Sequence, residues 1–576
     1  MILDLLSSYQ MIEQDGNLAL DNYRLKEGLY IRLAPNGEIH AFKVDKNQDV
    51  ASDEYFWFRN RDFRSILVDM NKPVDSKKQI HSNNIYSIFF KSPRPEEKSN
   101  FIKKTIEDVN RYYSALSDQK EEKLLITYDL PSLSLEQLEA WKQRVTDFLP
   151  RLLEVIDEIG LKAATYVKIF ADVSEENYET EYLRYIIPKI YNSNSFNIDV
   201  DGVIFGLSNS NMGLNAKKPF LEHKTTNYKV PFRITSGQAL NIYYMFKWLE
   251  NQYDADGYSI TSGYLQNADH DEYTLTRGIK NSADAHLLHI EKGKYAVIDE
   301  YDFVPSYQSN LNFHLHNYLG IEKFDSAKIT QLSDLEQKVD ELLFKGQMRI
   351  NYFTKDTIKP KEWFNQDQIE LLLWARDAFY NYFKKGDITS FRRIFDRISA
   401  KMIKLMAGNN IRQPASALNL RLSMLEYLKI EGRENMGKTL NAIRDKLTND
   451  LLDKEIETIE CLDDSTYYFI AGQIASFLIS KSKAQKITYR LGFDLLNARS
   501  VGKFRIMINT LFVKYGYDIE INSKGRFNKL FYAYNSYTPD NNVEVHSDAF
   551  LAGLSSPCII YTKAENLKEE VTNEME

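Results

Sequence analysis

Residues 431–439 read EGRENMGKT, and from Gly432 to Thr439 they satisfy G-x-x-x-x-G-K-[ST], the spacing of a loop whose backbone amides cradle nucleotide phosphates. Such a loop needs a buried hydrophobic strand before it, a helix after it and an acidic Mg²⁺ partner at the end of a later strand. The preceding LNLRLSMLEYLKIE instead spaces Leu418, Leu422, Leu425 and Leu428 as a helix does. The match therefore predicts a connection between two helices, broken at Gly432 or Gly437. A nucleotide-binding loop at 432–439 is the alternative it leaves open.

Other chemistry-bearing residues are sparse. His286 and His289 stand three apart on what reads as a helix, His314 and His316 two apart, and His270-Asp271 forms a dipeptide inside NADHDEY. A dimetal phosphohydrolase needs further ligands in a helical frame. QYDADGYS resembles half a calcium loop through Asp254, Asp256 and Gly257, but Gly263 stands where the closing Glu is wanted. The two cysteines, Cys461 and Cys558, are too few for a thiolate zinc site and read as buried thiols. With no nucleophile and base assignable, no enzyme and no cofactor is expected.

Two loops are richer. NKPVDSKKQIHSNNIYSIFFK (71–91) sets Lys77, Lys78, Asn83 and Asn84 just before a strand. FGLSNSNMGLNAKKPFLEHKTTNYKVPF (205–232) follows a strand with Asn209, Asn211, Asn215, Lys217 and Lys218. Asn amides donate and accept at once, so they can read base edges, while Lys supplies charge to phosphates. The same Asn residues can instead close turns through side-chain to backbone bonds.

The 576 residues carry a net charge of −8, unevenly spread. Between Lys481 and Lys529 eleven Lys and Arg stand against three Asp and Glu, so this segment alone is +8. Its Lys481, Lys483, Lys486, Arg490, Arg499, Lys503, Arg505, Lys524 and Arg526 are the candidate phosphate contacts.

The elements that must hold these residues fall into two kinds. At 43% hydrophobic and 27% charged the composition is globular, and no apolar run approaches the roughly 18 residues of a bilayer span. MILDLLSSYQMIEQDG lacks a basic leader and reads as a first helix, which points to a cytoplasmic protein. Residues 28–44 read as a hairpin around Pro35-Asn36-Gly37, and 85–91, 123–130, 166–172, 201–207 and 295–304 as further strands, with helix over 136–159. After Lys359-Pro360-Lys361 helical periodicity takes over. Ile369, Leu372, Leu373, Phe379 and Phe383 predict one stripe; Phe391, Ile394, Phe395, Ile398, Met402 and Leu405 predict the next, capped by Asp387 or Thr389. Ala471, Gly472, Ala475 and Ser476 predict a helix approached closely by a neighbour. The fold class expected is α+β, with a mixed α/β region over 1–358 and an all-α helical bundle over 359–576.

SKKQIHSNNIYSIFFK, FGLSNSNMGLNAKKPF with PFRIT, and YYFIAGQIASFLISKSKA with the late FLAGL, in that order, resemble the large subunit of the type I-B CRISPR surveillance complex (Cascade), the Csh-type family. That resemblance implies a noncatalytic subunit. It recognises a short protospacer-adjacent motif (PAM) in target double-stranded DNA, helps open the duplex, stabilises the displaced single strand of the R-loop and helps recruit the helicase-nuclease, while guide pairing supplies the remaining specificity. It implies as partners the guide (crRNA), target DNA, the backbone and guide-end-capping subunits and the small subunits, with no membrane. By this reading 205–218 contacts the PAM and 77–84 the guide end or a neighbouring subunit, or the two loops exchange these roles, and the basic segment contacts the displaced strand. It also implies a small subunit made separately by internal initiation, with Met436 or Met424 as the start. A protein-interaction scaffold without nucleic-acid contact is the other alternative.

Overall fold

The computed structural model describes residues 2–12, 17–45, 50–118, 123–208, 233–252, 262–267, 273–276, 284–292, 296–304, 309–354, 357–406, 411–483, 489–519 and 525–562. The chain divides into two compact units, 1–279 with 283–305 and 280–282 with 306–576.

The first unit mixes strands and helices. The expected hairpin forms as β1 (Gly28–Leu33) and β2 (Ile39–Val44), closed by Ala34–Gly37, where the Gly37 amide donates to the Ala34 carbonyl at 3.0 Å. With β3 (Ser87–Lys91) and β4 (Tyr166–Ala171) it makes a four-stranded sheet in the order β2-β1-β4-β3. β1 runs parallel to β4, Gly28 opposite Tyr166 through Leu33 opposite Ala171. The sheet's core carries a buried ion pair. Lys168 Nζ lies 2.6 and 2.8 Å from the two carboxylate oxygens of Asp62, and the Tyr23 hydroxyl donates to Oδ2 of Asp62 at 2.8 Å.

A second, antiparallel sheet combines β5 (Ile198–Val200), β6 (Val203–Gly206) and β7 (Ile234–Thr235). A third combines β8 (Ser262–Asn267), β9 (Tyr273–Thr276), β10 (Ala285–Lys292) and β11 (Ala296–Val304) in the order β11-β10-β8-β9. His286 and His289 thus lie on a strand and not on a helix, because β10 pairs on both sides. Residues 123–130 also depart from expectation. Lys123–Tyr128 is a 3₁₀ helix with Ile126 76% exposed, so LLITY is not a buried strand. A short apolar run has no periodicity long enough to separate the two.

The second unit opens with β12 (Asn310–Leu315) paired to β13 (Ala327–Gln331) and the helix Leu332–Phe344. The contact boundary therefore falls near 305, upstream of the change in composition at 359, because this hairpin and helix pack against the helices that follow. From Gln366 to Ser555 every regular element described is helical. Asn365 caps Gln366–Lys385 by accepting from the Gln368 amide, and Gly386 ends it in the left-handed region. The buried stripe runs through Ile369, Leu372, Ala375, Phe379 and Phe383, whereas Leu373 faces solvent, about 100° round the helix from the stripe's centre. Asp387 caps Ile388–Leu405 as expected. The small residues of Asp464–Ser480 receive the helix Ser547–Ser555 at close range: a Cβ on Gly472 would meet the Phe550 carbonyl oxygen at 2.3 Å.

Candidate nucleic-acid interface

The basic segment is built on three elements of the helical unit. The helix Val501–Tyr515, started by a Ser500 side chain that accepts from the Lys503 amide, buries Phe504, Ile508 and Leu511 and turns Lys503 and Lys514 outward. Arg499 is exposed just before it. Lys483, exposed beyond Asp464–Ser480, lies 4.4 Å from the centre of the Tyr517 ring, and the Tyr517 hydroxyl donates to the Lys481 carbonyl at 3.0 Å. Lys481 lies over Phe477 and Tyr561, at 5.0 and 5.8 Å. Among the described residues none of Lys481, Lys483, Arg499, Lys503 and Lys514 has a carboxylate partner. Arg490 is exposed nearby.

Two of the expected contacts have another task. Arg505 donates to the Tyr467 hydroxyl at 3.3 Å and to the Tyr537 carbonyl; Arg526 donates to the carbonyls of Ile560 and Thr562. Both are half-buried ties between chain segments, so their charge serves the fold before any phosphate. Lys486 and Lys524 lie outside the described residues. Lys514 and Tyr517 join the surface although they were not expected contacts. Their signal was present in the spacing of residues 503–517 opposite the Phe504, Ile508, Leu511 face.

The 71–91 loop is wound around Asp75. This buried carboxylate accepts from the amides of Lys77 (3.1 Å), Gln79 (2.6 Å) and Ile80 (3.0 Å), and from Arg111 Nε and Nη2 at 2.7 and 3.0 Å. Burial by itself raises the Asp75 pKa, but Arg111 and the three amides outweigh it and bring the group down to about 2. Because the folded value lies below the ordinary 3.8, the contribution to stability is complete above 3.8 and is lost as pH falls toward 2. Hydrogen exchange of the Lys77, Gln79 and Ile80 amides, corrected for intrinsic rates, is expected to lose protection across that window. In Asp75→Asn the step should vanish; a step that persists in the variant would assign it elsewhere.

Lys77 and Lys78 project from this loop into solvent. Asn83 and Asn84 do not: both are buried. Asn84 Nδ2 donates to the carbonyls of Tyr178 (2.9 Å) and Arg64 (3.3 Å), its Oδ1 accepts from the Tyr86 amide (3.1 Å), and Asn83 donates to the Ile66 carbonyl. Asn83 and Asn84, expected as contacts, are thus inaccessible to a macromolecule, and of the four expected residues only Lys77 and Lys78 are exposed.

Asn209, Asn211, Asn215, Lys217 and Lys218 lie outside the described residues. What holds their segment is described. Gly206 of β6 pairs with Ile234 of β7, Tyr191 bridges Ser208, and the Tyr191 hydroxyl lies 2.9 and 3.0 Å from the carbonyl oxygens of Ile204 and Ile234. The segment thus leaves and returns on neighbouring strands.

EGRENMGKT joins two helices, Arg412–Tyr427 and Met436–Leu452, with Gly432 at φ 72° in the turn. The strand a phosphate loop requires is a helix here. The Arg433 and Met436 amides donate to the carbonyls of Ile430 and Arg433, Lys438 Nζ donates to Glu426 at 2.6 Å, and Arg433 donates to Asp548 at 3.0 Å. Among the described residues no group of three or more His, Cys, Asp or Glu is placed to hold a metal ion. His270, Asp271, Asp254, Asp256 and Gly257 lie outside them. Burial pushes the Cys461 thiol up to about 12 and that of Cys558 up to about 11, which keeps both protonated. No described helix is long and apolar enough to cross a membrane.

Compared with known proteins, the chain matches no family model, no curated protein and no solved structure.

Proposed function

We propose that this chain is the noncatalytic large subunit of a type I-B CRISPR surveillance complex, which recognises the PAM in target double-stranded DNA, helps open the duplex and holds the displaced strand. The observation that carries the proposal is the surface of Lys483, Arg499, Lys503 and Lys514, exposed and without carboxylate partners among the described residues. Some arginines of the chain are neutralised, as Arg32 is by Asp172 and Arg64 by Glu179. Cations left open in this way suit a polyanion, whose bound counterions are released on contact. Exposed Tyr517, with Lys483 4.4 Å from its ring centre, offers a ring on which an unpaired base stacks, which favours a single strand over a duplex at this face. The motif segments quoted above support which polyanion it is. PAM contact belongs in this reading to Asn209, Asn211, Asn215, Lys217 and Lys218, and the guide or subunit contact to Lys77 and Lys78.

Separate production of a small subunit from Met436 is part of the same proposal. Met436 is the first residue of a helix, whereas Met424 lies inside one, so a start at Met436 removes whole elements.

The test is duplex binding by the chain assembled with guide and partner subunits, on targets flanked by a randomised four-base library at several salt concentrations. Enrichment of a short motif is expected, lost in Asn209→Ala, Asn211→Ala or Asn215→Ala with assembly intact. Lys503→Glu with Lys514→Glu should preserve the motif, weaken R-loop retention and lower the salt slope by about 1.4, roughly 0.7 for each single-strand phosphate contact. A correctly assembled complex that enriches no motif would place base reading in another subunit. An unchanged slope would remove strand holding from this face.

A further inference from the structure

The helix Val501–Tyr515 contains no carboxylate, and its outer face is not merely basic. Ile506 is 60% exposed, Val513 84% and Tyr517, just beyond the helix, 50%. Spaced by seven and four residues, they form one apolar stripe, with Lys503 and Lys514 beside it. Single exposed apolar side chains are ordinary, but an aligned stripe flanked by unneutralised lysines calls for a cover that is both apolar and acidic.

We infer that this face is the docking surface for residues 563–576 of the same chain, KAENLKEEVTNEME. Their Leu567, Val571 and Met575 recur every four residues, and Glu565, Glu569, Glu570, Glu574 and Glu576 against Lys563 and Lys568 leave a net charge of −3. The described chain ends beside the stripe. Tyr561 lies 5.8 Å from Lys481 Nζ, and the Lys481 carbonyl holds the Tyr517 hydroxyl. From there the path back along the helix, from Tyr517 to Lys503, is about 21 Å at 1.5 Å per residue, a length that fourteen residues cover even in the helical state. Running antiparallel, the segment sets its apolar residues on Val513 and Ile506 and its glutamates against Lys514 and Lys503. The consequence for binding rests on the function proposed above: the segment competes with the displaced strand for the same lysines, so weakly held polyanions are excluded. The docking itself does not depend on that function.

The experiment is lysine acetylation read by mass spectrometry, on the full chain, on a chain ending at Thr562, and on Leu567→Ser with Val571→Ser. A segment docked two-thirds of the time slows modification of Lys503 and Lys514 about three-fold in the full chain relative to both variants. Lys104, exposed in the other unit, is the internal reference and should not change. Carbodiimide coupling should join Glu569 or Glu570 to Lys503 or Lys514 within one chain. Equal acetylation rates in all three proteins overturn the proposal. Couplings between light and heavy isotope-labelled chains overturn it in favour of a second copy. Single-stranded DNA binding that is the same with and without the segment, while protection persists, removes the competition and the strand-holding function but leaves the docking.

Discussion

Asp548→Ala is expected to destabilise the helical unit by about 3–5 kcal/mol, the range for removing one partner of a buried ion pair. Asp548 is 2% exposed and Arg421, its partner, 1%. All five guanidinium donors of Arg421 are used: Nε on Asp548 at 2.9 Å, Nη1 on the Asp396 carbonyl and Ser399 Oγ at 2.7 Å each, and Nη2 on Asp396 at 2.6 Å and Asp548 at 2.9 Å. Burial alone would raise the Asp548 pKa, but Arg421 and Arg433 hold it below the ordinary carboxylate value. Without the carboxylate, two of those donations lose their acceptor and one of the two carboxylates facing Arg421 is gone.

The measurement is native-state hydrogen exchange of the Arg412–Tyr427 and Ser547–Ser555 amides, which reports this unit without assuming that the two units unfold together. Arg421→Met with Asp548→Leu should recover most of the loss, because an apolar pair carries no desolvation penalty. A loss under about 1 kcal/mol in Asp548→Ala would mean that the pair is no more than a surface bridge. The same geometry bears on a piece beginning at Met436, which retains Asp548 but neither Arg421 nor Arg433. If such a piece is made, it is expected to need a cation from a neighbouring subunit to be as stable as the corresponding part of the full chain.

Gly553→Ala is expected to cost about 3 kcal/mol, at the upper end of overpacking, while Gly502→Ala is expected to gain roughly 0.5–1 kcal/mol, the helix preference of Ala over Gly. The substitution is the same and the surroundings reverse its sign. A Cβ on Gly553 would sit 2.0 Å from the Phe469 carbonyl oxygen, a backbone atom that moves only if the whole helix moves. Gly472, on the facing helix, has the reciprocal contacts, 2.3 Å to the Phe550 oxygen and 2.5 Å to the Leu554 amide. At Gly502 nothing lies within 4 Å. Denaturant midpoints of the two single variants decide it, and equal shifts would show that the helices do not cross where Gly472 and Gly553 meet.

The Asp387 cap, the stripes of 366–405 apart from Leu373, the 28–44 hairpin and the close-approach helix at 464–480 were legible, because each depends on residues a few positions apart. A helix stripe repeats every 3.6 residues and an Asn-Gly turn closes over four, so both are written locally. The basic segment was legible as charge for the same reason. Which of its side chains face solvent was not.

Arg505, Arg526, Asn83 and Asn84 looked like surface readers because nothing nearby in sequence competes for them. Their partners, Tyr537, Thr562, Ile66 and Tyr178, lie from 17 to 94 residues away. The parallel β1–β4 pairing and the Arg421–Asp548 bond across 127 positions belong to the same class. In each, the deciding free energy is the desolvation of a polar group or strand edge by a segment distant in sequence, and local pattern carries no record of which segment arrives. Composition, caps and periodicity thus settled the first hairpin and the long helices; only tertiary packing settled which charges remained free to meet another molecule.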